Sequence, residues 1–116
     1  MKKFEADVEK DRDLSIVRLS GELDANTAVS ADDALQSAIT KDCKGLVIDC
    51  SELEYISSAG LGVVLATMHA CNHNSIKLAF FGLQPKIMNV FSILGVEKIV
   101  SIASTEEEAC KLVGGS

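Results

Sequence analysis

The chain has 116 residues, 47% of them hydrophobic, and 17 acidic against 11 basic side chains give it a net charge of −6. That length suits one domain, residues 1–116, and the apolar content supplies a core, which excludes disorder. The negative field repels phosphate backbones, and one Tyr, four Phe and no Trp make no stacking platform, so nucleic acid is excluded as a partner.

The opening residues Met1-Lys2-Lys3-Phe4-Glu5-Ala6-Asp7 lack the apolar stretch of a secretory signal. No segment reaches the roughly 18 apolar residues of a membrane span. A cytoplasmic protein with no direct membrane insertion is expected. Phe4, Ala6 and Val8 alternate with charged residues, which predicts a half-exposed strand. Lys10-Asp11-Arg12-Asp13 is a polar turn, and residues 14–19 form a second strand, closing a hairpin. Ser20-Gly21-Glu22-Leu23-Asp24 ends that strand.

Ala28, Ala31, Leu35, Ala38 and Ile39 recur at helical spacing and predict an amphipathic helix over 26–40, capped by Asp24 or Asn26. Gly45-Leu46-Val47-Ile48-Asp49-Cys50 is a short apolar run that reads as a central strand buried on both faces. Residues 51–58 follow as a linker ending in two serines. Leu61, Val64, Leu65 and Met68 then mark a second helix that ends near Asn72 or His73.

Residues 76–81 are another buried strand. Pro85 fits the first turn of a third helix, with Ile87, Val90, Phe91 and Leu94 inside and Gly95 as its stop. Residues 98–102 predict a short strand. Ser104 and Glu107 make a capping box for a last helix carrying Ala109, Leu112 and Val113. Strand and helix thus alternate after the hairpin. The expected fold is α/β, a mixed and mostly parallel sheet of about five strands with about four helices and an N-terminal antiparallel pair.

Chemistry concentrates in Tyr55-Ile56-Ser57-Ser58-Ala59-Gly60-Leu61-Gly62, which sets two hydroxyls and two glycines where a helix begins. A helix N-terminus has unpaired N–H groups and partial positive charge, so it can hold an anion, including a phosphate on a serine. On spacing alone, a serine there is an N-cap and a glycine serves close packing. The other candidates are weaker. His69 and His73 stand four apart, a spacing that can bind metal but also suits a helix C-terminus. Cys43, Cys50, Cys71 and Cys110 include no Cys-x-x-Cys pair and read as reduced, mostly buried residues. Gly60-Leu61-Gly62 is no dinucleotide fingerprint, because Leu65 stands where the third glycine belongs. No cofactor is expected.

Three segments in order resemble the STAS domain of anti-sigma factor antagonists: Ser20-Gly21-Glu22-Leu23-Asp24 before a helix, Val47-Ile48-Asp49-Cys50-Ser51, and Ile56-Ser57-Ser58-Ala59-Gly60-Leu61-Gly62. The resemblance covers nearly the whole chain, including the Pro85 helix and the Leu94-Gly95-Val96 turn. It implies that Ser58 is the serine phosphorylated by a partner kinase. It implies that Asp24 lies near that site and assists partner binding or phosphorylation, with Ser57, Ala59, Gly60, Leu61 and Gly62 on the same surface. One position departs from the family: Ser57 replaces the usual Asp before the phosphoacceptor, which makes it the second choice for modification.

The implied function is a non-enzymatic switch. Unphosphorylated, it binds an anti-sigma factor serine kinase and so frees a sigma factor; a serine phosphatase restores that form, and ATP sits on the kinase. The same domain also serves other partner-switching complexes and lipid ABC transporters. A different class is a small enzyme with Ser58 or Cys71 as nucleophile, for which the sequence places no base alongside.

Overall fold

A computed structural model describes residues 3–114. Strand β1 (Glu5–Asp11) turns through Arg12 and Asp13 into β2 (Leu14–Leu23), and the two pair antiparallel from Asp11↔Leu14 to Glu5↔Ser20. Helix α1 (Ala28–Ala38), β3 (Gly45–Ile56), α2 (Ser58–His73), β4 (Lys77–Phe81), α3 (Pro85–Ile93), a 3-10 turn (Val96–Lys98), β5 (Ser101–Ala103) and α4 (Glu106–Gly114) follow. The sheet order is β1-β2-β3-β4-β5, with every pair after the first parallel. The mixed α/β architecture expected from the sequence is present.

Strand order that follows chain order fixes the layering. Successive crossovers of one hand that advance in one direction deliver their helices to one face. Accordingly Val17, Leu19, Leu46, Ile48 and Phe80 share one core with Leu35, Val64 and Phe91 of α1, α2 and α3. The alternate residues Ile16, Val47, Ala79 and Phe81 face the other way, and Ala109 and Val113 of α4 cover them. Both faces of β3 are therefore buried along Leu46, Val47 and Ile48, which explains why that run is apolar without alternation.

Five expectations need correction, the simplest being Leu94, assigned to the inner face of α3 but 55% exposed at its C-cap. The linker assigned to 51–58 is the second half of β3, which stays paired to β2 as far as Leu23↔Ile56. The pairing slips between Arg18 and Ser20 and again between Gly21 and Glu22, with the extra residues on β3. These bulges destroy the period of two: Leu53 and Ile56 are buried while Glu52, Glu54 and Tyr55 are exposed. The strand assigned to 98–102 is only Ser101–Ala103. Ahead of it the amides of Lys98 and Val100 donate to Gly95 and Val96, which commits that stretch to turns. The last capping box shifts by one residue: Thr105 Oγ1 accepts the Glu108 amide, and the Glu108 carboxylate accepts the Ser104 amide. Helix α1 is shorter than 26–40: the turn at Asp24–Thr27 occupies its expected first residues and makes Thr27, not Asp24 or Asn26, its N-cap, and turn bonds from the Ile39 and Thr40 amides end it at Ala38.

Candidate functional site

The bulged half of β3 carries the chain to the end of β2, where the Ser57 amide donates to the Leu23 carbonyl at 2.9 Å. Ser57 is extended (φ −98°, ψ −179°) and caps α2; its half-buried Oγ accepts the Gly60 amide at 3.3 Å. Ser58 is the first helical residue and is exposed, and no protein group is bonded to its hydroxyl among the described residues. The first turn of α2 holds no carboxylate, so the positive end of its dipole is uncompensated by its own side chains.

The two glycines of this turn differ in kind. A Cβ on Gly60 would stand 2.8 Å from the Leu23 carbonyl oxygen and 2.8 Å from the Ile56 side chain. Only glycine lets the helix approach the end of β2 so closely. A Cβ on Gly62 would meet nothing within 4 Å, and Gly62 is exposed. Between them Leu61 is half-buried and packs against the main core, and Ala59 is half-buried as well.

Asp24 follows the residue that bonds Ser57. Its Oδ1 accepts the amides of Asn26 at 2.9 Å and Thr27 at 3.2 Å, folding the loop into an Asx turn. Thr27 Oγ1 accepts the Asp24 amide and donates to the Glu22 carbonyl, locking the loop to β2. Asp24, not Asn26, therefore organises the start of α1. Of the predicted site residues, the fold joins the β2–α1 loop at Asp24 to the α2 turn at 57–62 through Leu23. Sequence reasoning carried Leu23 and Ile56 within the segments that resemble the family but gave them no role, and it missed Thr27, whose signal is a threonine three residues after an aspartate.

The histidines are remote from the serines. Ser58 begins α2 and His69 lies eleven residues along it, about 16 Å at the rise of a helix. The His69 and His73 rings stack on each other with centroids 6.4 Å apart. Cys43, Cys50 and Cys71 are buried free thiols. Burial, with a smaller contribution from Cys43, pushes Cys71 up to about 11, so little thiolate forms at neutral pH. Burial raises Cys50 further and raises Cys110 as well.

A cluster unforeseen in the sequence lies on the opposite face of the sheet. Arg18 on β2 pairs with Asp49 on β3 at 3.0 Å, Glu106 at the start of α4 at 2.7 Å and Glu9 on β1 at 3.5 Å. Its hydrogen bonds to Glu106 and then Asp49 hold the guanidinium pKa above its ordinary value.

Residues 5–109 match the STAS domain family. This chain belongs to the STAS family. An anti-sigma-B factor antagonist of Listeria monocytogenes is 33% identical over 100 residues, covering 86% of this STAS chain and 88% of that protein. An anti-sigma F factor antagonist of Paenibacillus polymyxa is 30% identical over 110 residues, covering 91% and 92%. Among solved structures, the anti-sigma factor antagonist SpoIIAA in its unphosphorylated form superposes with a TM-score of 0.80 at 25% identity, covering 98% of each chain. The Bacillus SpoIIAA in its phosphorylated form has the same fold, with a TM-score of 0.72 at 24% identity over 94% and 97%. No described helix of this STAS chain is long and apolar enough to cross a membrane.

Proposed function

We propose that this protein is an anti-sigma factor antagonist, a binding switch working as one STAS domain over residues 1–116 and controlled by phosphate on Ser58. In its unphosphorylated form it binds an anti-sigma factor serine kinase and so releases the sigma factor. A serine phosphatase regenerates that form, in the cytoplasm. The observation that carries this reading is the contrast between the two serines: Ser57 is occupied as the cap of α2, while Ser58 stands exposed on its first turn. The names of the two relatives and of SpoIIAA support the sigma-factor role, and SpoIIAA's two forms support a phosphate switch.

The physics of the switch is local. A phosphate on Ser58 brings roughly −1.5 to −2 charge at neutral pH. The N-terminus of α2 accommodates it without refolding. A protein packed over Ser58, Leu61 and Gly62 meets new bulk and a charge that is costly to desolvate without a cation. Asp24 contributes by fixing the loop beside this surface through its two amide bonds. Catalysis by this chain has no part in the scheme: the histidines sit far along α2 from Ser58, and Cys71 is buried.

The test is affinity for the cognate kinase, measured for wild type, Ser58→Ala, Ser58→Asp and Ser57→Asp, together with site-mapped phosphorylation. Ser58→Ala is expected to bind like wild type and Ser58→Asp at least about tenfold more weakly, a change of about 1.4 kcal/mol. Equal binding by Ser58→Ala and Ser58→Asp, or phosphate on Ser57 alone, overturns the assignment.

A further inference from the structure

A solvent-open groove of about 660 Å3 lies away from the serines, along the second half of α2. Leu65, Met68 and Asn72 of α2 line one side, Ile76 and Leu78 on either side of the start of β4 another, and Ile99, Val100 and Ser101 the third, so apolar and polar side chains share the walls. The groove exists because β5 is short: it pairs with β4 only from Ala79 to Phe81, so the edge at Leu78 faces the turn instead of a strand. A volume of this size is in the range of small-molecule sites.

Two features select an occupant. Apolar surface is left in water, with Leu65 49% and Ile99 69% exposed. The charge is also inverted relative to the rest of the chain. Although acidic residues outnumber basic ones 17 to 11, no Asp or Glu lines the groove, and Lys98 and His69 do. Lys98 has no ion pair among the described residues. An extended peptide suits the groove poorly. The Lys77 amide donates to Lys44 on the β3 side, so by strand alternation only Leu78 turns its backbone to the groove, too little for a ladder.

We propose that this groove binds an amphipathic monoanion, an unbranched acyl chain lying along Leu65, Leu78 and Ile99 with its carboxylate at Lys98. The inference does not depend on phosphorylation of Ser58. The experiment is a titration of the full chain with dodecanoate below its micelle concentration, followed by amide NMR shifts, with dodecyltrimethylammonium as a control of equal chain and opposite charge. Saturable shifts at Met68, Leu78 and Ile99 are expected with dodecanoate and not with the cation. Lys98→Glu is expected to weaken dodecanoate about tenfold, Ile99→Asp to weaken it similarly, and Ser58→Ala to leave it unchanged. Both groove variants change exposed side chains, so both are expected to fold, which circular dichroism checks. Equal binding of the cation, unsaturable shifts, or undiminished binding by Lys98→Glu overturns the proposal. So does an acidic peptide that shifts these amides where dodecanoate does not, which would give the groove to a protein partner.

Discussion

On one face of the sheet Val17, Leu19, Leu46, Ile48 and Phe80 disappear beneath three helices. On the other, Ile16, Val47, Ala79 and Phe81 meet α4 alone, and Arg18 adds its bonds to Asp49 and Glu106 at that helix's start. The first face is held by packing of large aliphatic side chains and an edge-to-face pair, Phe80 on Phe91. The second combines small apolar contacts with charges that salt can screen. The serines of α2 belong to the packed face. Their position is therefore set by steric fit at Gly60, Leu23 and Ile56 more than by electrostatics, and Ser58, exposed on the first turn, takes no part in that fit.

Substitutions can break or sharpen this contrast. The largest effect is expected from Gly60→Ala, which drives a methyl group against the Leu23 carbonyl and should cost about 3 kcal/mol in urea unfolding. A loss well under 1 kcal/mol would show that α2 can slide off β2 and that the packed face is softer than described. Ser57→Ala removes the cap and should cost about 1 kcal/mol in the same measurement, with circular dichroism retained. Arg18→Met strips Asp49 and Glu106 of their cation on the α4 face. Because the arginine side chain is 34% exposed, the cost should be about 1 kcal/mol and should shrink as salt is added, unlike that of Gly60→Ala. The smallest effect is Gly62→Ala. With open space around it and a helical backbone, the variant should be about 0.5 kcal/mol more stable, and any accompanying loss of kinase binding would assign Gly62 to the partner surface.

Much of the architecture was legible because the chain obeys its periods. The hairpin, the apolar run at Leu46–Ile48, Pro85 opening α3 and Gly95 closing it in a left-handed conformation (φ 76°) all appear where simple patterns place them. The failures have a common cause. In the second half of β3, bulges replace the period of two by buried positions three apart, so a strand resembles a loop. Near Ile99, turn hydrogen bonds take the amides that a longer β5 needs. The candidate site was legible as a pair of serines and a pair of glycines, but spacing could not separate their members. That Ser57 caps while Ser58 is free, and that Gly60 is enclosed while Gly62 is open, follows from the register that brings Leu23 against α2. Register is a property of two strands together. The Arg18 cluster was invisible for a similar reason, since Glu9, Arg18, Asp49 and Glu106 are joined only across four elements.

The outer strands of the sheet bear on how this protein behaves in a crowded cell. Strand β1 shows almost every side chain to solvent, and Glu5, Asp7, Glu9, Lys10 and Asp11 make its rim densely charged. The opposite rim, β5, is only three residues long. A second molecule seeking to extend the sheet finds repulsion on one side and too few free amides on the other. Copies can therefore accumulate without templating one another into fibres.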